Sequence, residues 1–318
     1  MLPPPAAAGH AADDLVGALA GAHAGLLAAA VALHIAGQTV RGLAWRGVLG
    51  AAWPAVARRR ACAWHVCGAG LSGVLSARGG DAVRITLARR ELDGATWPAL
   101  AGTIAAEGSF ETLFSLALAL VALRLGIGTV DVPSAPVLAA VAVAVPAVVV
   151  LALRSRRLRA VGAELVRGLA VMRQPRCWAR GVLPWQLTAR VLRLASATCF
   201  LLAFDLPAAP AVVLAACAAQ GSGAMLPLPG AGPATVAGAL LVALPAAAGH
   251  PVDGAAVAAL AIAQPAALTG VGATLSVVLL GVLCGARTPR ALLHAARSLR
   301  AAPAQPAPPA PQPATLVP

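Results

Sequence analysis

At 318 residues the chain is long enough for one membrane domain, with no second folded soluble domain expected. Only 11% of residues are charged, against about 25% in a soluble domain, and the mean hydropathy is +0.82. The +13 net charge comes from 24 basic residues, all arginine, against 11 acids; with 3% aromatics and arginines flanking apolar spans, it excludes nucleic-acid binding in favour of a membrane-flanking role.

In chain order, residues 1–14 form a short N-terminal segment. It carries Asp13 and Asp14 and no basic stretch, so it does not read as a cleaved signal peptide. Apolar runs at 15–36, 98–122, 133–153, 181–204 and 255–283 each reach the ~20 residues that cross a ~30 Å hydrocarbon core. The expected fold is therefore all-α: a polytopic helix bundle of about five full spans, with two broken or re-entrant hairpins at 61–90 and 207–249 and a possible inverted repeat. Residues 15–300 make up this single membrane domain. The Pro/Ala-rich tail 301–318 is expected to be disordered.

Arginine positions orient the spans. Five lie in 41–60, four in 78–90, ten in 154–193 and four in 287–300, whereas the loops holding Asp131, Asp205 and Asp253 have none apart from nearby Arg124. The positive-inside rule puts the four clusters in the cytoplasm, the N-terminus outside and the C-terminus inside a cell membrane. The run 61–77 has arginine clusters on both sides, so a full crossing would strand one of them. Its Gly68, Gly70, Gly73, Ser72 and Ser76 favour close packing or a broken helix, and a hairpin re-entering the cytoplasm resolves the conflict. In 207–249 two apolar arms flank Pro227-Leu228-Pro229-Gly230-Ala231-Gly232-Pro233, which cannot continue a helix and must be buried in protein or line a wet cavity. Leu71–Leu75 aligns faintly with Gly221–Met225, one broken segment from each face. Between them, Val161, Leu165 and Leu169 recur every fourth residue, which reads as a helix lying in the cytoplasmic interface or as a soluble linker helix.

Three polar groups stand out against this apolar background. Glu107 and Glu111 lie one turn apart and share a helix face; they are either functional or arginine-paired anchors. Arg78, Asp81 and Arg84 recur at three-residue spacing, an arrangement whose guanidinium forks suit a phosphate and which equally reads as a positive-inside cluster. The break at 227–233 either kinks the chain or starts a helix whose amides face an anion. Gln264 reads as an interhelical hydrogen-bonding residue, and His23 and His34 as interhelical or boundary residues. Six scattered cysteines give no disulfide framework, and Cys62-x2-His65-x-Cys67 reads as small apolar cysteines in a helix rather than a metal site. No metal or cofactor is expected, and no catalytic constellation is visible.

Gly70–Arg84, with Arg78, Gly79, Asp81 and Arg84, resembles the "N-x-x-x-P-x-R-x-G-D/E-x-x-R" stretch of the lysylphosphatidylglycerol synthase transmembrane (flippase-like) family. Ile104–Glu107 followed by Glu111 resembles its acidic "E-R-x-x-D" helix, and Pro227–Gly232 its "P-x-x-P-G-G-x-G" element. Order and spacing agree over residues 15–300. The resemblance implies a domain that binds or moves lipids, with Arg78, Asp81, Arg84, Glu107, Glu111, Pro229, Gly230 and Gly232 along a headgroup path. The chain departs from the pattern at Ser72, Ser76, Gly108 and Ala234–Val236, which implies a lost or changed substrate. Members that make lysyl-lipids carry a large soluble transferase domain for which this chain has no room.

The expectation is thus a non-enzymatic, flippase-like protein that binds or translocates an anionic, aminoacylated or polyprenyl-linked lipid. The alternative is a non-transporting membrane partner of a separate aminoacyl- or glycosyl-transferase. A homo-oligomer is compatible with either.

Overall fold

The computed structural model describes residues 13, 15–75, 77–124, 156–223, isolated positions between 238 and 249, and 251–284. Among the described residues every regular element is helical. Alanine and leucine, which dominate the chain, lose little conformational freedom in a helix. A helix also satisfies its own backbone groups where no water can reach them.

Helix α1 (Ala24–Gly50) has 27 residues, about 40 Å at 1.5 Å per residue, and continues well past the apolar run that ends at residue 36. It is followed by α2 (Arg58–Leu75), α3 (Ala77–Glu91) and α4 (Trp97–Arg124). After a stretch outside the described residues come α5 (Arg156–Gly168), a 3-10 turn (Ala170–Arg173), α6 (Pro175–Gly181), α7 (Leu183–Ala203), α8 (Pro210–Gly223) and α9 (Gly254–Cys284). Helix α1 packs against α7 and α2, α2 against α3 and α9, and α4 against α5.

The expected spans at 98–122, 181–204 and 255–283 fall on α4, α7 and α9. Among the described residues two helices, Ala24–Gly50 and Gly254–Leu283, are long and apolar enough to cross a membrane. The expected span at 133–153 and the Pro/Gly break at 227–233 lie outside the described residues, so only the first arm of the second hairpin, α8, is described.

The expected break in 61–90 is present: α2 ends at Leu75, α3 starts at Ala77, and the two pack against each other as a helical hairpin. Its glycines serve close packing. A Cβ on Gly68 would sit 2.6 Å from the Gly80 carbonyl oxygen, and one on Gly80 would strike the Gly68 carbonyl oxygen in turn. On the other side of α2, a Cβ on Gly70 would collide with the Gly272 carbonyl oxygen and Ser276 Oγ of α9. Because Gly70 leaves that space, Ser276 Oγ reaches α2 and donates to the Cys67 carbonyl at 3.1 Å. Small residues thus let backbones touch where apolar side chains alone would hold helices 8–10 Å apart.

The basic amphipathic segment is helical as expected. On α5, Leu165 is half-buried and Val161 is exposed; Leu169, at the turn that follows, is also half-buried. The helix lies against the first half of α4, where Gly168 meets the Ala99 carbonyl and Gly102 the Leu165 carbonyl. Thr96 Oγ1 donates to Glu164 Oε2 at 2.8 Å and fixes its rotation.

Two apolar clusters form along the bundle. One gathers Ala30, Phe200, Leu201, Leu240, Leu244 and Leu260; the other gathers Trp45, Leu49, Trp64 and Leu100. On α1 they are separated by His34, Gln38 and Arg41. Helix α9 repeats the pattern, with Gln264, Thr269 and Ser276 between its apolar ends. Pro265 interrupts the hydrogen-bond ladder of α9 within this same layer. A polar layer therefore lies between two apolar cores.

Candidate functional site

The polar layer begins with a stripe on α1. His34, Gln38, Arg41 and Trp45 follow at intervals of four, three and four residues, which places them on one helix face. Gln38 Nε2 lies 3.3 Å from His34 Nε2. Trp45 is fully buried, and its Nε1–H donates to Thr103 Oγ1 at 3.0 Å.

Arg41 reaches across to α4. Its Nη2 lies 3.1 Å from Glu107 Oε1 and 3.3 Å from Glu111 Oε1. The second oxygen of Glu107 accepts from Arg84 Nη1 at 2.7 Å. Arg84 Nη2 in turn pairs with Asp81 Oδ1 at 3.0 Å, one turn away on α3. At the far end the second oxygen of Glu111 pairs with Arg190 of α7. The result is one alternating chain, Asp81–Arg84–Glu107–Arg41–Glu111–Arg190, drawn from four helices.

Burial gives this chain its energetic weight. Glu107 is 2% exposed and Arg84 6%. Isolated, either charge would cost several kcal/mol in such a place. Each is retained because both Glu107 oxygens meet a guanidinium, and because Arg84 also stacks 5.1 Å over the Trp45 ring. Arg84 Nη1 further lies 3.0 Å from His65 Nδ1. An arginine only donates, so His65 Nδ1 is the acceptor and the imidazole carries its proton on Nε2. This contact, rather than any pairing with Cys62 or Cys67, accounts for the buried histidine.

The chain borders two cavities. One, of about 320 Å³, opens between the α2–α3 hairpin and α9 and is lined by Gly70, Ser72, Gly80, Asp81, Arg84 and Thr269 among others. The other, of about 240 Å³, lies toward α7 and is lined by Glu111, Gln186, Arg190, Arg193, Ser196 and Gln264 among others. His34, Gln38, Arg41 and Leu268 line both, so Arg41 stands on the partition between them.

Four of the residues singled out in the sequence, Asp81, Arg84, Glu107 and Glu111, come together in this chain. Arg78 lies in the first turn of α3 and its side chain is outside the described residues, as are Pro229, Gly230 and Gly232 entirely. Glu107 and Glu111 share a face as their spacing requires, and both are arginine-paired. Gln264 is buried in the wall of the α7 cavity, while His23 is a boundary residue, 3.4 Å from Asp205 at an exposed end.

Sequence reading weighed His65 only as a metal ligand and passed over Arg41, Gln186 and Arg190 as functional candidates. Periodicity was the signal that marks them. Gln186, Arg190, Arg193 and Ser196 or Ala197 recur every three or four residues on α7, just as His34, Gln38 and Arg41 do on α1. Two polar stripes on neighbouring helices of an apolar bundle face each other for a reason.

No protein-family model matches this chain, and no curated protein or solved structure does either.

Proposed function

We propose that the chain is a multi-pass, flippase-like protein of the cytoplasmic membrane that binds a phospholipid or lipid-linked headgroup and passes it between leaflets. One observation carries this reading: an alternating chain of paired charges, with Arg84 and Glu107 buried at its centre, borders two cavities inside an apolar helix bundle. Ionisable residues held in apolar surroundings are expensive and mark substrate paths by default. The resemblance of the Arg78–Arg84 and Glu107–Glu111 segments to the flippase-like family supports the same reading.

In this mechanism the arginine clusters draw an anionic headgroup to the cytoplasmic side. The headgroup phosphate then replaces a carboxylate on Arg84 or Arg41, since a guanidinium fork fits phosphate as well as carboxylate. The displaced carboxylate is left to a cationic headgroup or a proton. Every charge keeps a partner during the exchange, which is what makes passage through a low-dielectric interior affordable. The orientation that fits the arginine clusters has the N-terminus outside and the C-terminus in the cytoplasm.

Reconstitution tests the reading. Vesicles containing the protein and a trace of headgroup-labelled anionic phospholipid are challenged with a membrane-impermeant quencher. Label on the inner leaflet is expected to become accessible over time in the presence of protein and to stay protected in protein-free vesicles. Equal protection in both would remove translocation and leave a binding or partner role.

A further inference from the structure

The α7 cavity has features that the charge chain does not use. Gln186 is 1% exposed, lines this cavity, and among the described residues neither its Nε2 nor its Oε1 has a hydrogen-bond partner. A buried amide left without partners costs more than the hydrogen bonds it could make would return. Arg193 lines the same cavity and, among the described residues, forms no ion pair, whereas Arg190 is held by Glu111. The six charges of the chain cancel, three arginines against three carboxylates, so Arg193 leaves this cavity with one surplus positive charge.

Geometry lets these groups act together. Gln186 and Arg193 are seven residues apart, about two turns or 10.5 Å along the axis. Helical side chains lean back toward the N-terminus, so the long Arg193 side chain leans toward Gln186 and shortens that gap. Gln38 of α1 lines the opposite wall.

Resting on the headgroup reading above, we propose that the α7 cavity is a subsite for a terminal phosphoryl group, a phosphomonoester, held by Arg193 and Gln186. Arg193 supplies the fork that meets two phosphoryl oxygens. Gln186 Nε2 donates to a third oxygen, and Gln186 Oε1 accepts from that phosphoryl group's remaining proton. A phosphodiester carries no such proton, and a carboxylate lacks the third oxygen. The orphaned amide, with both a donor and an acceptor to satisfy, selects the monoester. Arg190 stays paired with Glu111 on the wall of the same cavity, which leaves Arg193 as the cation for the phosphoryl group.

The full-length protein in detergent is titrated by calorimetry near pH 5, about one unit below the second phosphomonoester pKa of about 6, where the ligand still carries its proton. The probes are short-chain phosphatidic acid, phosphatidylcholine with the same chains, the matching diacylglycerol, and inorganic phosphate. Phosphatidic acid is expected to bind most tightly and diacylglycerol not at all. Arg193→Gln is expected to weaken phosphatidic acid binding at least about tenfold, and Gln186→Met about fivefold. Gln186→Met removes an unsatisfied buried amide at nearly constant volume, so its melting temperature is expected to equal or exceed that of the parent. A structural role alone would move the melting temperature and leave the binding preference intact. Wild-type affinity in both variants, or equal affinity for the monoester and the diester, would overturn the subsite. Inorganic phosphate binding as tightly as phosphatidic acid would keep the phosphoryl subsite and remove its lipid ligand. Loss of vesicle translocation with phosphoryl binding intact would fault the translocation reading alone.

Discussion

Replacing Glu107 by glutamine is expected to abolish headgroup translocation while the protein still inserts into the membrane. Glu107 is 2% exposed and holds Arg41 with one oxygen and Arg84 with the other. Glutamine keeps the volume and one acceptor but removes the charge, which leaves the chain one carboxylate short, with Arg84 held only by the half-exposed Asp81 and Arg41 only by Glu111. Breaking a buried pair from one side costs about 3–5 kcal/mol, so the melting temperature should fall as well. Loss of function through instability is separated from loss of function through chemistry by the double variant Arg84→Met with Glu107→Met. Exchanging both partners of a buried pair for apolar residues is often neutral or stabilising by about 1–4 kcal/mol. Arg41 still keeps Glu111 as a partner in that variant. The double variant should therefore recover the melting temperature and remain unable to translocate. Translocation at the parental rate in either variant would remove Glu107 from the path.

The second large effect concerns the crossing of α2 and α9. Gly70→Val is expected to destabilise the bundle by about 1–3 kcal/mol, because the atom its Cβ meets is a backbone carbonyl that cannot move aside. The helices must separate, and the hydrogen bond of Ser276 Oγ to the Cys67 carbonyl goes with them. Gly70 also lines the larger cavity beside Arg84, so headgroup binding should weaken along with stability. Gly108→Ala, on α4 beside Glu107, provides the contrast. A Cβ there meets nothing within 4 Å, and alanine in a helix interior gains up to about 1 kcal/mol over glycine. Thermal unfolding of the two purified variants checks the pair. A Gly70→Val protein as stable as the parent would mean that α2 and α9 do not approach as closely as described.

How much of this was legible in the sequence depends on the contrast between a residue and its surroundings. Glu107 and Glu111 are conspicuous because carboxylates in an apolar run are rare, and their four-residue spacing already puts them on one face. Asp81 and Arg84 are marked by spacing as well. The hairpin at 61–90 is legible from the arginines on both sides of a short apolar run, and its glycines foretell close contact. Arg41 is hidden for the opposite reason. It falls just beyond the apolar run ending at residue 36, among arginines that read alike as flanking charges, and only the continuation of α1 to Gly50 carries it into the layer. Gln186 and Arg190 are masked in the same way by the ten arginines of 154–193. Charge density alone cannot distinguish a flanking arginine from a buried one. Helical periodicity across the cluster can, and it marks both stripes.

A lipid headgroup that enters the charge chain and its two cavities, as proposed, should stay with the protein through purification. Native mass spectrometry of the detergent-purified protein, with gentle delipidation, tests it most directly. One headgroup class should survive on the parent protein and be lost from the equally stable Arg84→Met/Glu107→Met variant. A mixture of bulk lipids on both proteins, or the same retained lipid on both, would contradict it.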